Sequence, residues 1–229
     1  VMRTAVVDYS TVGAREPRFH LVRQRLGYSG GWTAETAHDP FLPLALAAEH
    51  TERIELGTSI AVAFARNPMT LANIGWDLQS YSQGRFILGL GSQIKAHITK
   101  RFSMPWSHPA ARMRELILAM RAIWATWQDG APLDFQGEFY QHPYRGPGSV
   151  GLGKPLRTIV HPVRSDIPIF IGAEGPKNVR QTAESADLLR IQRGLARHFL
   201  HEIVQGGACR RVILGNLLGA GNKLVLGPQ

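Results

Sequence analysis

The stretch from Arg53 to Ser92 constrains the fold of this chain more than any other. It opens with Arg53-Ile-Glu-Leu-Gly-Thr-Ser-Ile60, passes through Ala65-Arg-Asn-Pro68-Met-Thr-Leu-Ala72, and closes with Gly84-Arg-Phe-Ile-Leu-Gly-Leu-Gly-Ser92. The first and last runs are short and carry apolar residues that run out through Gly, Thr or Ser, which reads as two buried strands. Asn67-Pro68 between them starts a helix, because a proline at the first helical position gives up an N–H that has no helical partner there. A strand, a helix and a strand in that order imply parallel strands. Parallel strands gather ligands at their carboxyl ends, here Gly57 to Ile60 and Gly89 to Ser92.

The same alternation extends in both directions. Met2 to Val7 and Gly30 to Thr33 read as strands, and Phe19, Val22 and Leu26 fall at near-helical spacing. Asp39-Pro40 reads as an N-cap followed by a first-turn proline, leading into a helix over Phe41 to His50. Ser107-His-Pro109 opens the clearest helix. Its apolar stripe is Met113, Leu116, Ile117, Met120, Ile123, Trp124 and Trp127, and its opposite face carries Arg112, Arg114, Glu115 and Arg121. Leu133 to Gln141 alternates around Gly137 as a small hairpin. His142 to Asp166 is a long excursion rich in Pro, Gly and basic residues, of the kind that often carries function. Ile167 to Ile171 is a fifth strand with Pro168 near its start, and Gly175-Pro176 opens a fifth helix. Five β-α units fit before about Leu188, with room for about one more. Such a chain is either an open sheet or an incomplete eight-stranded barrel, since a full barrel takes ~250 residues and this chain has 229. An incomplete barrel would expose strand edges and favour poor solubility or obligate association.

Composition removes several classes of function. No run reaches the ~18 apolar residues of a membrane span, and Val1 to Pro17 lacks the apolar core of a signal peptide. Cys209 is the only cysteine, which excludes an internal disulfide or a Cys-rich metal site and fits the cytoplasm. The net charge of +9 suggests anionic partners. The basic residues are scattered, without the interleaved aromatics of a nucleic-acid surface, so a small phosphorylated ligand is the better partner and neither nucleic acid nor membrane is expected.

Candidate chemistry sits at the strand ends. Glu35 and His38 could form an acid/base pair, while Asp39 is better explained as a helix cap. His97, Lys100 and Arg101, just past the fourth strand, could meet an anion or simply be solvated. Gly172-Ala173-Glu174-Gly175-Pro176-Lys177 places glycines before a helix start, an arrangement that suits a phosphate or serves as a tight turn. There is no phosphate-binding Gly-x-x-x-x-Gly-Lys loop, no Gly-x-Ser-x-Gly nucleophile turn and no His-Glu-x-x-His metal helix. Gly89-Leu-Gly91 lacks the third glycine of a dinucleotide fingerprint.

Five runs together resemble the bacterial luciferase-like family, and within it the deazaflavin-dependent (coenzyme F-420) oxidoreductases. They are Gly27 to Glu35, Ile54 to Ile60, Arg66 to Ala72, Gly84 to Ser92 and Pro168 to Pro176. The resemblance implies an α/β fold, a (β/α)8 TIM barrel incomplete at the C-terminus, with residues 1–188 as the barrel domain and 189–229 as a divergent tail of unknown fold. It implies coenzyme F-420 (8-hydroxy-5-deazaflavin), or alternatively FMN, bound at the carboxyl ends of the strands. A non-proline cis peptide behind the ring would map to Ser59-Ile60, beside Thr58, Gly91 and Ser92. The phosphate site would map to Gly172, Ala173, Glu174, Gly175 and Pro176, and the excursion from His142 to Asp166 would cover the pocket. The implied activity is hydride transfer to or from a small organic substrate, with FMN-dependent oxygenation and a non-catalytic cofactor-binding or partner role as alternatives. A homodimer is left open. Many relatives carry His where this chain has Thr36, after an acidic residue matching Glu35. Catalytic candidates are therefore Glu35, Thr36 and His38. The resemblance fades after about Ala186.

Overall fold

The computed structural model describes residues 4–7, 27–150, 166–172, 188–192, 211–215 and 223–226, the first and the last three of these stretches as backbone alone. Its strands are β1 (Thr4–Val7), β2 (Gly30–Thr33), β3 (Glu55–Thr58), β4 (Ala61–Val62), β5 (Phe86–Gly91), β6 (Phe135–Gln136), β7 (Gln141–His142), β8 (Ile169–Gly172), β9 (Leu188–Gln192), β10 (Arg211–Gly215) and β11 (Lys223–Leu226). The helices are α1 (Leu42–His50), α2 (Pro68–Tyr81) and α3 (Pro109–Asp129). The expected helix around Phe19 to Leu26 and the one opened by Gly175-Pro176 lie outside the described residues.

The main sheet runs β1-β2-β3-β5-β8-β9-β10-β11, with β4 also on β5. Within this sheet every pairing up to β10 is parallel, and β11 returns antiparallel on β10, while β6 and β7 form a separate antiparallel pair. Strands join the sheet in sequence order and always on the same side. A doubly wound sheet would reverse direction at a switch point, so this is the winding of a barrel. Among the described residues no pairing joins β1 to β11. The region after Leu188 adds three strands to the sheet, more than the single further unit the sequence suggested.

Strands β2, β3, β5 and β8 are largely buried on both faces, which is why they read as continuous apolar runs. Leu56, Leu88, Leu90, Ile169 and Ile171 face the helices and join Leu71, Trp76, Leu116, Met120 and Trp124 in the larger core. Trp32, Ile87 and Phe170 form a separate inner cluster with Ile60. Gly75 lets α3 approach α2 closely, and Trp124 Nε1 donates to the Ala72 carbonyl at 3.1 Å.

The helix starts follow the Pro signals with two adjustments. Asn67 caps α2 by accepting from Thr70 N at 2.8 Å, as its sequence implied. Asp39 Oδ1 also accepts from Phe41 N and Leu42 N, but α1 begins at Leu42, so Pro40 lies ahead of the helix and Pro43 sits in its first turn. At α3, Pro109 is the first residue, but His108 before it is left-handed (φ 38°) and makes no side-chain cap.

On the charged face of α3, Arg112 is nonetheless buried, with only 7% of its surface exposed. Its guanidinium stacks over Phe64 and Tyr140, donates from Nε to Tyr140 Oη at 3.0 Å and from Nη1 to the Pro105 carbonyl at 2.7 Å. Delocalised charge and a planar fork make arginine able to do this where lysine could not. Burial raises the Tyr140 hydroxyl above its ordinary value, against the opposing pull of Arg112. One turn on, Glu115 accepts from the backbone N–H groups of Glu138, Phe139 and Tyr140. These two side chains fasten the β6–β7 hairpin to α3, and a side chain at Gly137 would collide with Glu115.

His142 closes that hairpin. Burial pushes its ring below the ordinary value of 6.5, and Nε2 is buried with no hydrogen-bond partner among the described residues. The folded protein therefore binds this proton less readily than the unfolded chain. The contribution of neutral His142 is complete above pH 6.5 and is lost as pH falls from there through the lowered folded-state value. Between about pH 7 and about pH 5 the melting temperature should fall more steeply for the native chain than for His142→Gln. Parallel curves would show that His142 is not responsible.

Candidate functional site

The carboxyl ends of β2, β3, β5 and β8 lie side by side, and a break in one of them shapes the site. Gly57 pairs with Ile87, and Ala61 pairs with Leu90. Four steps along one chain are thus matched by three along the other, so one residue is extra and the strand bulges at Ser59 and Ile60. The Ser59–Ile60 peptide bond is cis, as the resemblance implied. The bulge separates β3 from β4 and swings Ile60 onto the inner face.

Glycines make room for it. A Cβ at Gly91 would come within 2.7 Å of Ile60 Cδ1, and one at Gly172 within 3.2 Å of Ile60 Cγ2. Ile60 therefore lies across the ends of β5 and β8, half-buried, with Trp32, Ile87 and Phe170 beneath it. The result is a partly exposed apolar floor at the carboxyl ends of the parallel strands. Thr58, by contrast, is buried and its hydroxyl is used inside the sheet, donating to the Gly89 carbonyl and accepting from Gly89 N at 2.9 Å. Ser92, just past β5, directs its hydroxyl to the Gln93 carbonyl.

The β2–α1 loop is fixed at both roots. Thr33 Oγ1 donates to the Pro40 carbonyl at 2.8 Å, and Glu35 N donates to the Ile60 carbonyl at 3.1 Å. Glu35 Oε2 accepts from Val62 N at 2.6 Å and from Arg66 Nη1 at 2.7 Å. Arg66 Nη2 reaches Asp39 Oδ2 at 3.0 Å, and its guanidinium lies over the Phe41 ring. Thr36 and His38 are exposed on the loop between these anchors.

Of the residues singled out in the sequence, the structure gathers Glu35, Ser59, Ile60, Gly91 and Gly172 around one floor. It does not pair Glu35 with His38; the Glu35 carboxylate is paired with Arg66 instead. His97 belongs to a short helical turn and contacts Gln93 Oε1 at 3.2 Å, while Lys100 and Arg101 are exposed. Ala173, Glu174, Gly175 and Pro176 lie outside the described residues, as do residues 151–165 of the excursion. Sequence reasoning missed Arg66 as a site residue. Its only local mark is a lone charge between two buried segments, and its partner Glu35 is 31 residues away.

A profile of luciferase-like monooxygenases matches residues 10–204. The chain belongs to the luciferase-like monooxygenase family. An uncharacterized protein of Mycobacterium tuberculosis is 59% identical to it over 174 residues, 76% of this chain and 49% of that protein. A putative coenzyme F-420-dependent oxidoreductase of the same organism is 39% identical over 180 residues, 76% of this chain and 51% of that protein. The luciferase-like chain thus spans about half the length of the curated relatives it matches. The solved coenzyme F-420-dependent tetrahydromethanopterin reductase of Methanopyrus kandleri superposes with a TM-score of 0.67 at 21% identity, covering 84% of this chain and 56% of that one. The oxygenating constituent of the 3,6-diketocamphane monooxygenase from Pseudomonas putida, in complex with FMN, superposes at 0.68 with 16% identity, covering 91% and 64%. At such identities the superpositions speak to fold alone, and they agree with the sheet winding: this is the α/β TIM-barrel fold of the luciferase-like family. No helix among the described residues is long and apolar enough to cross a membrane.

Proposed function

We propose that this chain forms the cofactor-holding region of a deazaflavin-dependent oxidoreductase, which passes hydride between coenzyme F-420 and a small organic substrate. The observation that carries this reading is the Ile60 floor, a partly exposed apolar surface made by a strand bulge over Gly91 and Gly172. A planar ring packs well on such a surface, and it sits where parallel α/β folds hold their ligands. The relative named as F-420-dependent supports the deazaflavin. The net positive charge suits an anionic cofactor tail.

The hydride chemistry belongs to the cofactor, while the protein holds the ring, orients the substrate and excludes water. Ile60 would back the ring, with Ser59, Gly91 and Ser92 beside it. The sequence run Gly172 to Pro176 would receive the phosphate, as the resemblance implies. Thr36 and His38, exposed on the loop that Glu35 joins to Ile60, would be available to meet a substrate.

Titration of the purified chain with coenzyme F-420 and with FMN, followed by cofactor absorbance and fluorescence, tests this. Saturable binding of F-420 is expected, lost on Ile60→Asp because a carboxylate would have to be desolvated under an apolar ring. Binding of FMN alone would move the assignment to the oxygenating branch. Binding without substrate-dependent bleaching would favour a non-catalytic cofactor carrier, and binding of neither would refute the proposal.

A further inference from the structure

We infer that Arg66 is a positioning residue that sets both the ring floor and the loop facing it, an inference that rests on the cofactor reading above. The bulge is held by backbone hydrogen bonds and by a Glu35 carboxylate that one guanidinium anchors. Ser59 N donates to the Thr33 carbonyl at 2.6 Å, and Glu35 N donates to the Ile60 carbonyl at 3.1 Å. The Glu35 carboxylate then takes Val62 N on the far side of Ile60 at 2.6 Å. Ile60 is thereby bracketed by the backbone and the side chain of a single residue. Arg66 holds that residue in place at 2.7 Å and also donates to the Val62 carbonyl at 3.1 Å.

The second arm of Arg66 reaches across to Asp39. Glu35 and Asp39 are the two ends of the segment that carries Thr36 and His38, so one cation fixes both ends of that segment. Asp39 divides its carboxylate between Arg66 and the start of α1, with Oδ1 on Phe41 N and Leu42 N. The Arg66–Glu35 contact is largely sheltered, with side-chain exposures of 15% and 9%, whereas Asp39 is 38% exposed. The Glu35 arm should therefore dominate, because solvent screens the Asp39 arm more strongly. The same geometry gives Glu35 an alternative to acid/base chemistry: its Oε2 is committed to Val62 N and Arg66, and its work is to hold the bulge. Lysine at position 66 could not bridge both carboxylates and the Val62 carbonyl, since it lacks the planar fork.

The test compares Arg66→Met, Arg66→Lys, Glu35→Gln and the control Arg85→Lys, an anchor at the opposite end of the sheet. For each, the dissociation constant for coenzyme F-420 and the thermal midpoint are measured on the full chain, well below melting. Arg66→Met should weaken F-420 binding about tenfold or more, and Arg66→Lys and Glu35→Gln several-fold. Arg85→Lys should lower the midpoint and leave binding unchanged. If Arg66→Met melts early but binds like the native chain, Arg66 is scaffold only and the inference is wrong. Should Arg66→Met fail to fold, Glu35→Gln decides, because it keeps an acceptor for Val62 N and removes only the charge. Unchanged binding in Glu35→Gln would overturn the inference. Absence of binding by the native chain would instead refute the cofactor reading itself, and the inference with it.

Discussion

Gly89→Ala is expected to abolish soluble expression, or to reduce stability by more than about 3 kcal/mol where protein is recovered. A Cβ at Gly89 would land on the Thr58 carbonyl oxygen and come within 2.8 Å of the Phe170 ring. The first obstacle is backbone. It cannot yield by changing rotamer, and it is pinned by the Thr58 hydroxyl, which bonds both the carbonyl and the N–H of Gly89. Shifting it would also displace the bulge that begins one residue later. Gly130→Ala is the comparison. Gly130 is left-handed (φ 69°) at the end of α3, yet nothing lies within 4 Å of its missing Cβ. That change should cost only about 1 kcal/mol, the price of an L side chain in a left-handed turn. Soluble yield and urea midpoints of the two variants, side by side, separate crowding from backbone strain. A well-folded Gly89→Ala protein would show that β3 and β5 are not in this register.

Arg85→Met should be the most damaging change to a charged residue, lowering stability by about 4 kcal/mol and the melting temperature by roughly 10 °C. Arg85 Nε donates to the Ser82 carbonyl at 2.7 Å, Nη1 to Ile54 O at 2.8 Å and Thr51 Oγ1 at 2.9 Å, and Nη2 to Ala48 O at 3.1 Å and Thr51 O at 2.7 Å. One side chain thus ties the end of α1, the approach to β3 and the turn after α2 into a single knot. Ala48 is in the last turn of α1, where carbonyls have no helical donor, so removing the guanidinium leaves it unpaired. Burial lowers the Arg85 pKa from its ordinary value, with Glu52 pulling the other way. Arg85→Lys retains the charge but offers three donors in the wrong geometry, and should cost about half as much. Chemical denaturation measures both; equal loss for Lys and Met would mean that geometry, rather than charge, accounts for the whole effect.

Much of the local architecture is legible in the sequence for reasons that can be named. Gly30 to Thr33 reads as a strand and is one, and Asn67-Pro68 announces α2 through a cap and a proline that act within one turn. Such signals are local, so a single sequence carries them. The inward or outward facing of each strand residue is not legible. Phe86 to Gly91 is buried throughout, and hydrophobic alternation vanishes when both faces are covered. The burial of Arg112 is illegible for a related reason: periodicity only sets it opposite the apolar stripe, and tertiary structure alone supplies the aromatic rings and the Pro105 carbonyl that receive it. The candidate site divides in the same way. The bulge at Ser59-Ile60 was reached through family resemblance, whereas the Arg66 bridge needs contacts across 27 and 31 residues that no local pattern encodes.

The inner face pairs bulk with emptiness. Trp32 occupies the space that a side chain at Gly57 would need, just as Phe170 crowds Gly89 and Ile60 crowds Gly91. At Gly57 and Gly91 the first obstacle is a side chain, so enlarging the glycine collides with Trp32 or Ile60 and shrinking that side chain opens a void, whereas at Gly89 the Thr58 carbonyl blocks a side chain as well. The Trp32–Gly57 and Ile60–Gly91 couples should therefore change together. Among descendants of this fold, a larger residue at 57 should occur only with a smaller one at 32, so that the history of the ligand floor is recorded as correlated substitution across neighbouring strands.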